Sequence, residues 1–332
     1  LQPAIRWVFQ RVFGYLAQLR DFANEIEINT RNRIESDKIM SQKIKVLFPI
    51  DFEDTSLKAY PTVEYLAKIY DAEIFLIHVL EAPAAAARLF SSFDEAEERK
   101  HVNAQLDKFI KEKGNPDIIY NKIIKVGKPW KCIIDAATEL TANVIIMGTH
   151  GASGLGEIFA GTNAARVIST APCPVISLQQ QQSKPGFTKI LLPIDLTRET
   201  GEKLELGVEF AKNYSAELVV VSILQSKNER DKERLQNRMS KAVQHIQKQG
   251  VKVESTMLVS KGDISKVVLD FADESGVDLI MIMTQQESTS NLRSTFFGTD
   301  SVHVVNHSKI PVLSIKPKRE YKSANFSGSH FG

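Results

Sequence analysis

Continuous apolar runs alternate along this chain with longer stretches of helical periodicity. Val46-Leu47-Phe48-Pro49-Ile50 and Val144-Ile145-Ile146-Met147 carry no polar residue, the pattern of strands covered on both faces rather than on one. Reading onward from the first of these, strands are expected near 44–50, 73–79, 119–126, 143–147 and 174–178, with helices over 54–70, 92–113, 129–140 and 161–170. Alternating strands and helices imply right-handed crossovers, hence a parallel sheet with helices on both faces. Ligands of such sheets sit beyond the carboxyl ends of the strands, where the strand order reverses. Asp51 follows the first expected strand and Gly148 the fourth, so both belong to that edge.

The pattern then repeats. Lys45-Val46-Leu47-Phe48-Pro49-Ile50-Asp51 returns as Lys189-Ile190-Leu191-Leu192-Pro193-Ile194-Asp195, an offset of 195 − 51 = 144. Gly127 returns as Gly262, Val144-Ile145-Ile146-Met147 as an apolar run ending at Met283, and Pro174-Val175-Ile176-Ser177 as Pro311-Val312-Leu313-Ser314. Landmarks in the same order mean a tandem duplication. The copies are expected over 43–180 and 187–317, joined through a polar Gln-rich stretch ending in Pro185-Gly186. Residues 1–42 form a separate N-terminal segment, and 318–332 a Lys/Ser/Gly-rich tail.

The first copy carries the sharpest motif. After Met147 come Gly148, Gly151 and, after nine intervening residues, Gly161-Thr162, which opens a helix-like stretch. Backbone amides and the dipole of a helix N-terminus favour an anion, and glycines let the backbone approach a phosphate. The spacing matches neither the Walker nor the Rossmann pattern. It resembles the ATP-binding signature of the universal stress protein family, Gly-x2-Gly-x9-Gly-Ser/Thr, and the resemblance continues through Ala171-Pro172-Cys173-Pro174-Val175-Ile176. The resemblance implies two tandem α/β sandwiches, each on a five-stranded parallel sheet of the adenine nucleotide alpha hydrolase-like type, packed as an intramolecular pseudo-dimer. It implies ATP as ligand, with Mg2+ held mainly by the phosphates. It places Asp51 on ribose or adenine, Val79 against adenine through its backbone, and Met147, Gly148, Gly151, Gly161, Thr162 and Asn163 in the phosphate cradle. Pro49 shapes the loop after the first strand, and Gly127 lines the nucleotide or serves as a turn glycine. The residues themselves allow plainer roles: Asp51 as a helix cap or turn residue, Val79 as core, and His78 as a packed strand histidine.

The copies differ at the cradle. With Met147 aligned on Met283, Thr284 stands for Gly148 and Glu287 for Gly151. A β-branched residue and a carboxylate both oppose a phosphate loop. Gly298-Thr299 remains, displaced by one extra loop residue. The expectation is a nucleotide-free second half and one nucleotide per chain.

Composition narrows the remainder. A net charge of +2 among 332 residues gives no footprint for nucleic acid. Cys132 and Cys173 are the only cysteines and fit no metal spacing, so both read as buried thiols in a reducing, cytoplasmic setting. In the N-terminal segment Ile5, Val8, Phe9, Val12, Phe13, Leu16, Leu19 and Phe22 form an amphipathic helical stripe with Arg6, Arg11 and Arg20 nearby. Four readings of it stand open: docking on the body or on a second copy in a homodimer, lying on a membrane surface, belonging to a longer chain such as a transporter, or preceding a natural start at Met40. For function, a nucleotide-responsive stress module read by an unidentified protein partner is expected, not an enzyme. A slow ATPase and a nucleotide-free scaffold, or regulatory domain of a transporter, are the alternatives. AMP or a cyclic dinucleotide fits the same cradle as ATP.

Overall fold

The computed structural model describes residues 43–81, 94–149, 162–179, 186–195, 199–225, 228–284 and 299–316. The N-terminal stripe, Gly151, Gly161 and the tail lie outside the described residues.

In the first half β1 (Lys45–Pro49), α1 (Asp54–Tyr70), β2 (Glu73–Leu80), α2 (Glu95–Lys113), β3 (Tyr120–Val126), α3 (Pro129–Leu140), β4 (Val144–Gly148), α4 (Thr162–Thr170) and β5 (Val175–Leu178) alternate as the periodicity predicts. The second half repeats them as β6 (Lys189–Ile194), α5 (Glu199–Tyr214), β7 (Glu217–Leu224), α6 (Glu229–Lys248), β8 (Val253–Val259), α7 (Ile264–Ser275), β9 (Leu279–Met283), α8 (Thr299–His307) and β10 (Val312–Ile315). α2 starts at Glu95 rather than at 92, because the Asp94 side chain accepts from the amides of Ala96 and Glu97 and so fixes the first turn.

One ten-stranded sheet runs in the order β3-β2-β1-β4-β5-β10-β9-β6-β7-β8. Each half is parallel throughout. The halves meet where β5 and β10 pair antiparallel, Ile176 opposite Leu313, so the joined sheet is mixed. Alternate strand residues feed two cores. Val46, Phe48 and Leu76 pack under α1 and α2, and Ile190, Leu192 and Leu218 under α5 and α6. Leu47, Ile145, Leu191 and Ile280 pack under α3, α4, α7 and α8. The helix after β1 therefore lies on one face and the helix after β4 on the other. Since β1 and β4 are neighbours, a crevice opens between their carboxyl ends.

An aromatic cluster fastens the halves on the first face. Phe187, just before β6, stacks near Phe210 and Tyr214 of α5, with ring centroids 6.0 and 5.4 Å away, and Tyr214 meets Tyr70 of α1 edge-on at 6.0 Å. Burial pushes the phenols of Tyr70 and Tyr214 far above their ordinary range. Burial does the same to Tyr60, reinforced by its 2.7 Å hydrogen bond with Tyr120. Unfolded tyrosines ionise near pH 10 while these stay protonated, so the folded state holds more protons and loses stability as pH rises further. Denaturant midpoints measured at pH 8 and pH 11 are expected to fall at the higher pH, and Tyr214→Phe is expected to lessen the fall.

Candidate functional site

The first crevice gathers most of the expected residues on one edge. Pro49 is the last residue of β1, and Asp51 stands two residues beyond it, exposed. Its Oδ1 accepts from the Glu53 amide at 2.9 Å and from Ser56 Oγ at 2.6 Å, so Asp51 ties the turn into α1, whose cap position is Glu53. Val79 lies one residue before the end of β2, half-buried against the second core. Gly127 leaves β3 with φ +149°, a conformation L side chains rarely adopt, and a Cβ there would stand 3.1 Å from Cys132 Sγ.

Gly148 ends β4. A Cβ on it would lie 2.3 Å from the Thr55 carbonyl oxygen in the first turn of α1. This glycine is therefore required by helix–strand packing at the crevice itself. Met147 is buried in the second core. Thr149 continues the chain with its amide on the Leu178 carbonyl at 2.7 Å. Thr162 opens α4 and Asn163 follows it, half-buried. Gly151 and Gly161 fall between, outside the described residues.

Beside the crevice, the Arg166 guanidinium of α4 lies over the Trp130 ring of α3, 5.4 Å from its centroid. Arg166 is thus held by an aromatic face. Burial pushes the Cys173 thiol up to about 12 and raises that of Cys132. Both are poor nucleophiles at neutral pH, since the thiolate is the reactive form.

The second crevice is built otherwise. Register pairs Ile145 with Val175 in one half and Ile280 with Val312 in the other. Leu178 accordingly faces Gly148, and Ile315 faces Met283. The residue in Gly148's place is thus Met283, fully buried, and not Thr284. Thr284 corresponds to Thr149, and its amide meets the Ile315 carbonyl at 2.8 Å just as Thr149 meets Leu178. The offset between copies is 135 at Thr149 and Thr284 but 137 at Thr162 and Thr299, so the second loop is two residues longer, not one. Counted from β9, Gln286 rather than Glu287 takes the number of Gly151, in a loop outside the described residues.

Asp195, the counterpart of Asp51, is only 6% exposed and accepts from Thr200 Oγ1 at 2.9 Å. Lys203, fully buried, donates to the Pro193 carbonyl at 2.6 Å. Burial lowers the pKa of the Arg238 guanidinium of α6, against the opposing pull of the Asp195 carboxylate. The second half thus lines this corner with its own charged side chains. Sequence reading missed Lys203, which stands where the first copy has Ala59, although the change from alanine to lysine at a repeat position is visible once the copies are aligned.

Two doubly wound α/β halves sharing one sheet, each with a switch point between its first and fourth strands, define a duplicated α/β protein. The chain belongs to the universal stress protein family, whose model matches residues 44–178 and again 186–316. A universal stress protein of Methanocaldococcus jannaschii is 31% identical over 146 residues, spanning 42% of this chain and 84% of its own length. In fold, the chain is similar to a universal stress protein from Archaeoglobus fulgidus, with a TM-score of 0.63 at 20% identity, covering 83% of this chain and 99% of that one. A universal stress protein from Archaeoglobus fulgidus in complex with dAMP is 25% identical and covers 39% of this chain and 98% of its own, with a TM-score of 0.32. Among the described residues no helix is long and apolar enough to cross a membrane, and no cluster of three or more His, Cys, Asp or Glu side chains is placed to hold a metal.

Proposed function

We propose that the first half binds one ATP per chain, that the second half binds none, and that the protein is a cytoplasmic nucleotide-responsive stress module rather than an enzyme. The observation that carries this reading is the contrast between the two crevices. In the first, an exposed carboxylate, Asp51, and the N-terminus of α4 face the same edge, and the chain passes Gly148 into the Gly151 to Gly161 stretch. In the second, the same carboxylate is buried and Met283 replaces the glycine. A carboxylate accepts from sugar hydroxyls, and helix-terminal amides donate to phosphate oxygens. Met147, Thr162 and Asn163 would complete the cradle with the glycines, Val79 and Pro49 would border the base, and any Mg2+ would ride on the phosphates.

Nucleotide content decides it. The purified protein is denatured, and released nucleotide is identified and counted by mass spectrometry. Close to one ATP per chain is the expected result. Two per chain would overturn the reading of the second crevice. None, with no rise in melting temperature on adding ATP, would leave a scaffold. AMP or a cyclic dinucleotide in its place would keep the site and change the ligand.

A further inference from the structure

We propose that His78 is the positioning residue that turns Asp51 outward, toward a ligand. The proposal rests on the reading that the first half binds a nucleotide. His78 Nδ1 lies 2.8 Å from the Ile50 carbonyl oxygen. A carbonyl only accepts, so Nδ1 carries the proton. On the other side of Asp51, Phe52 has φ +65°, a conformation a bulky residue keeps only where its surroundings hold it there. The Phe52 ring packs on His78, centroids 5.4 Å apart and planes 31° apart. One imidazole thus holds the carbonyl before Asp51 and the ring after it. Asp51 Oδ1 is used within the turn, and among the described residues no hydrogen bond reaches its Oδ2.

The second half supplies the comparison within the same chain. Strand register places Ser222 beside Ile194, the positions of His78 and Ile50. Ser222 is fully buried, and among the described residues its Oγ has no hydrogen-bond partner. Capping is alike in the two halves, since Ser56 and Thr200 each bond an Asp five residues earlier. Yet Asp195 is buried while Asp51 is exposed. His78 against Ser222 is one local difference, and the buried Lys203, which stands where the first half has Ala59, is another. The charge of Arg238 also bears on Asp195, and variants confined to the first half separate the part of His78 from these.

The test compares ATP with 2′,3′-dideoxy-ATP by calorimetry on the wild-type chain, His78→Ala, His78→Asn, Asp51→Ala and the double variant of Ala at both positions. Loss of one sugar–carboxylate hydrogen bond corresponds to about tenfold in affinity. His78→Ala is expected to lose that much for ATP and little for the dideoxy nucleotide, and to add nothing once Asp51 is alanine. His78→Asn, whose amide N–H occupies the place of Nδ1, is expected to recover most of the loss. An unchanged affinity, an equal loss for both nucleotides, or a full loss persisting without Asp51 would overturn the proposal. A wild-type chain that binds no nucleotide would overturn the functional reading instead. In that case amide exchange of Phe52 and Glu53 still decides on His78: it is expected to speed up in His78→Ala and return in His78→Asn, and no change would refute its positioning role.

Discussion

Gly148→Ala is expected to destabilise the protein by about 1–3 kcal/mol, the usual cost of forcing a group into a filled core, and to weaken nucleotide binding at the same time. The new Cβ would stand 2.3 Å from the Thr55 carbonyl oxygen and 2.7 Å from its carbon. Both are backbone atoms of α1, so no rotamer relieves the clash, and either β4 or the first turn of the helix must move. Asp51 bonds Ser56 in that same turn. The displacement therefore reaches both walls of the crevice, and the loss of affinity is expected to exceed the loss from removing Asp51 alone. Urea midpoints and ATP calorimetry on the same preparation check the two effects. Gly262→Ala is the control, because a Cβ there meets nothing within 4 Å. Equal stability of the Gly148 and Gly262 variants would show that α1 yields without cost.

Phe187→Ala is expected to cost about 3–5 kcal/mol, as truncation of a fully buried phenylalanine does. Phe187 is 2% exposed and packs on Phe210 and Tyr214. Tyr214 in turn meets Tyr70 from the first half. The cavity would open beneath the contact between α1 and α5, where the two copies bear on each other outside the β5–β10 seam. Chemical denaturation should show the loss, with unfolding of the second half moved ahead of the first. Leu57→Ala, at a position 39% exposed, is the comparison and is expected to change stability by under about 0.5 kcal/mol. A Phe187 variant within that same range would mean the seam alone holds the halves together.

Much of this arrangement is legible in the residues alone. Apolar runs broken by helical periodicity give parallel strands and covering helices, because burial on both faces leaves no room for polar positions in the strand. The repeat of Lys45 to Asp51 at Lys189 to Asp195 gives two halves. Strand ends then place Asp51 and Gly148 on one edge by chain direction alone. Helix starts are read less well where the chemistry is a cap: Asp94 fixes α2, and only its bonds to Ala96 and Glu97 mark the start.

What the sequence determined by itself is therefore whatever follows from local pattern: element type, order, duplication, and the side of the sheet on which the glycines and the carboxylate emerge. Tertiary structure alone decided three things. The antiparallel pairing of Ile176 with Leu313 joins two parallel sheets into one, and no local pattern in either strand names its partner. Register put Met283 in the place of Gly148, a shift of one that Val144 to Met147 and Leu279 to Met283 cannot reveal, because an uninterrupted apolar run has no alternation to fix it. The opposite exposures of Asp51 and Asp195 arise only in the folded chain, where His78 and Phe52 flank the first turn and Lys203 and Arg238 stand at the second. Identical residues at identical repeat positions acquire different surroundings because the groups around them come from neighbouring strands and helices.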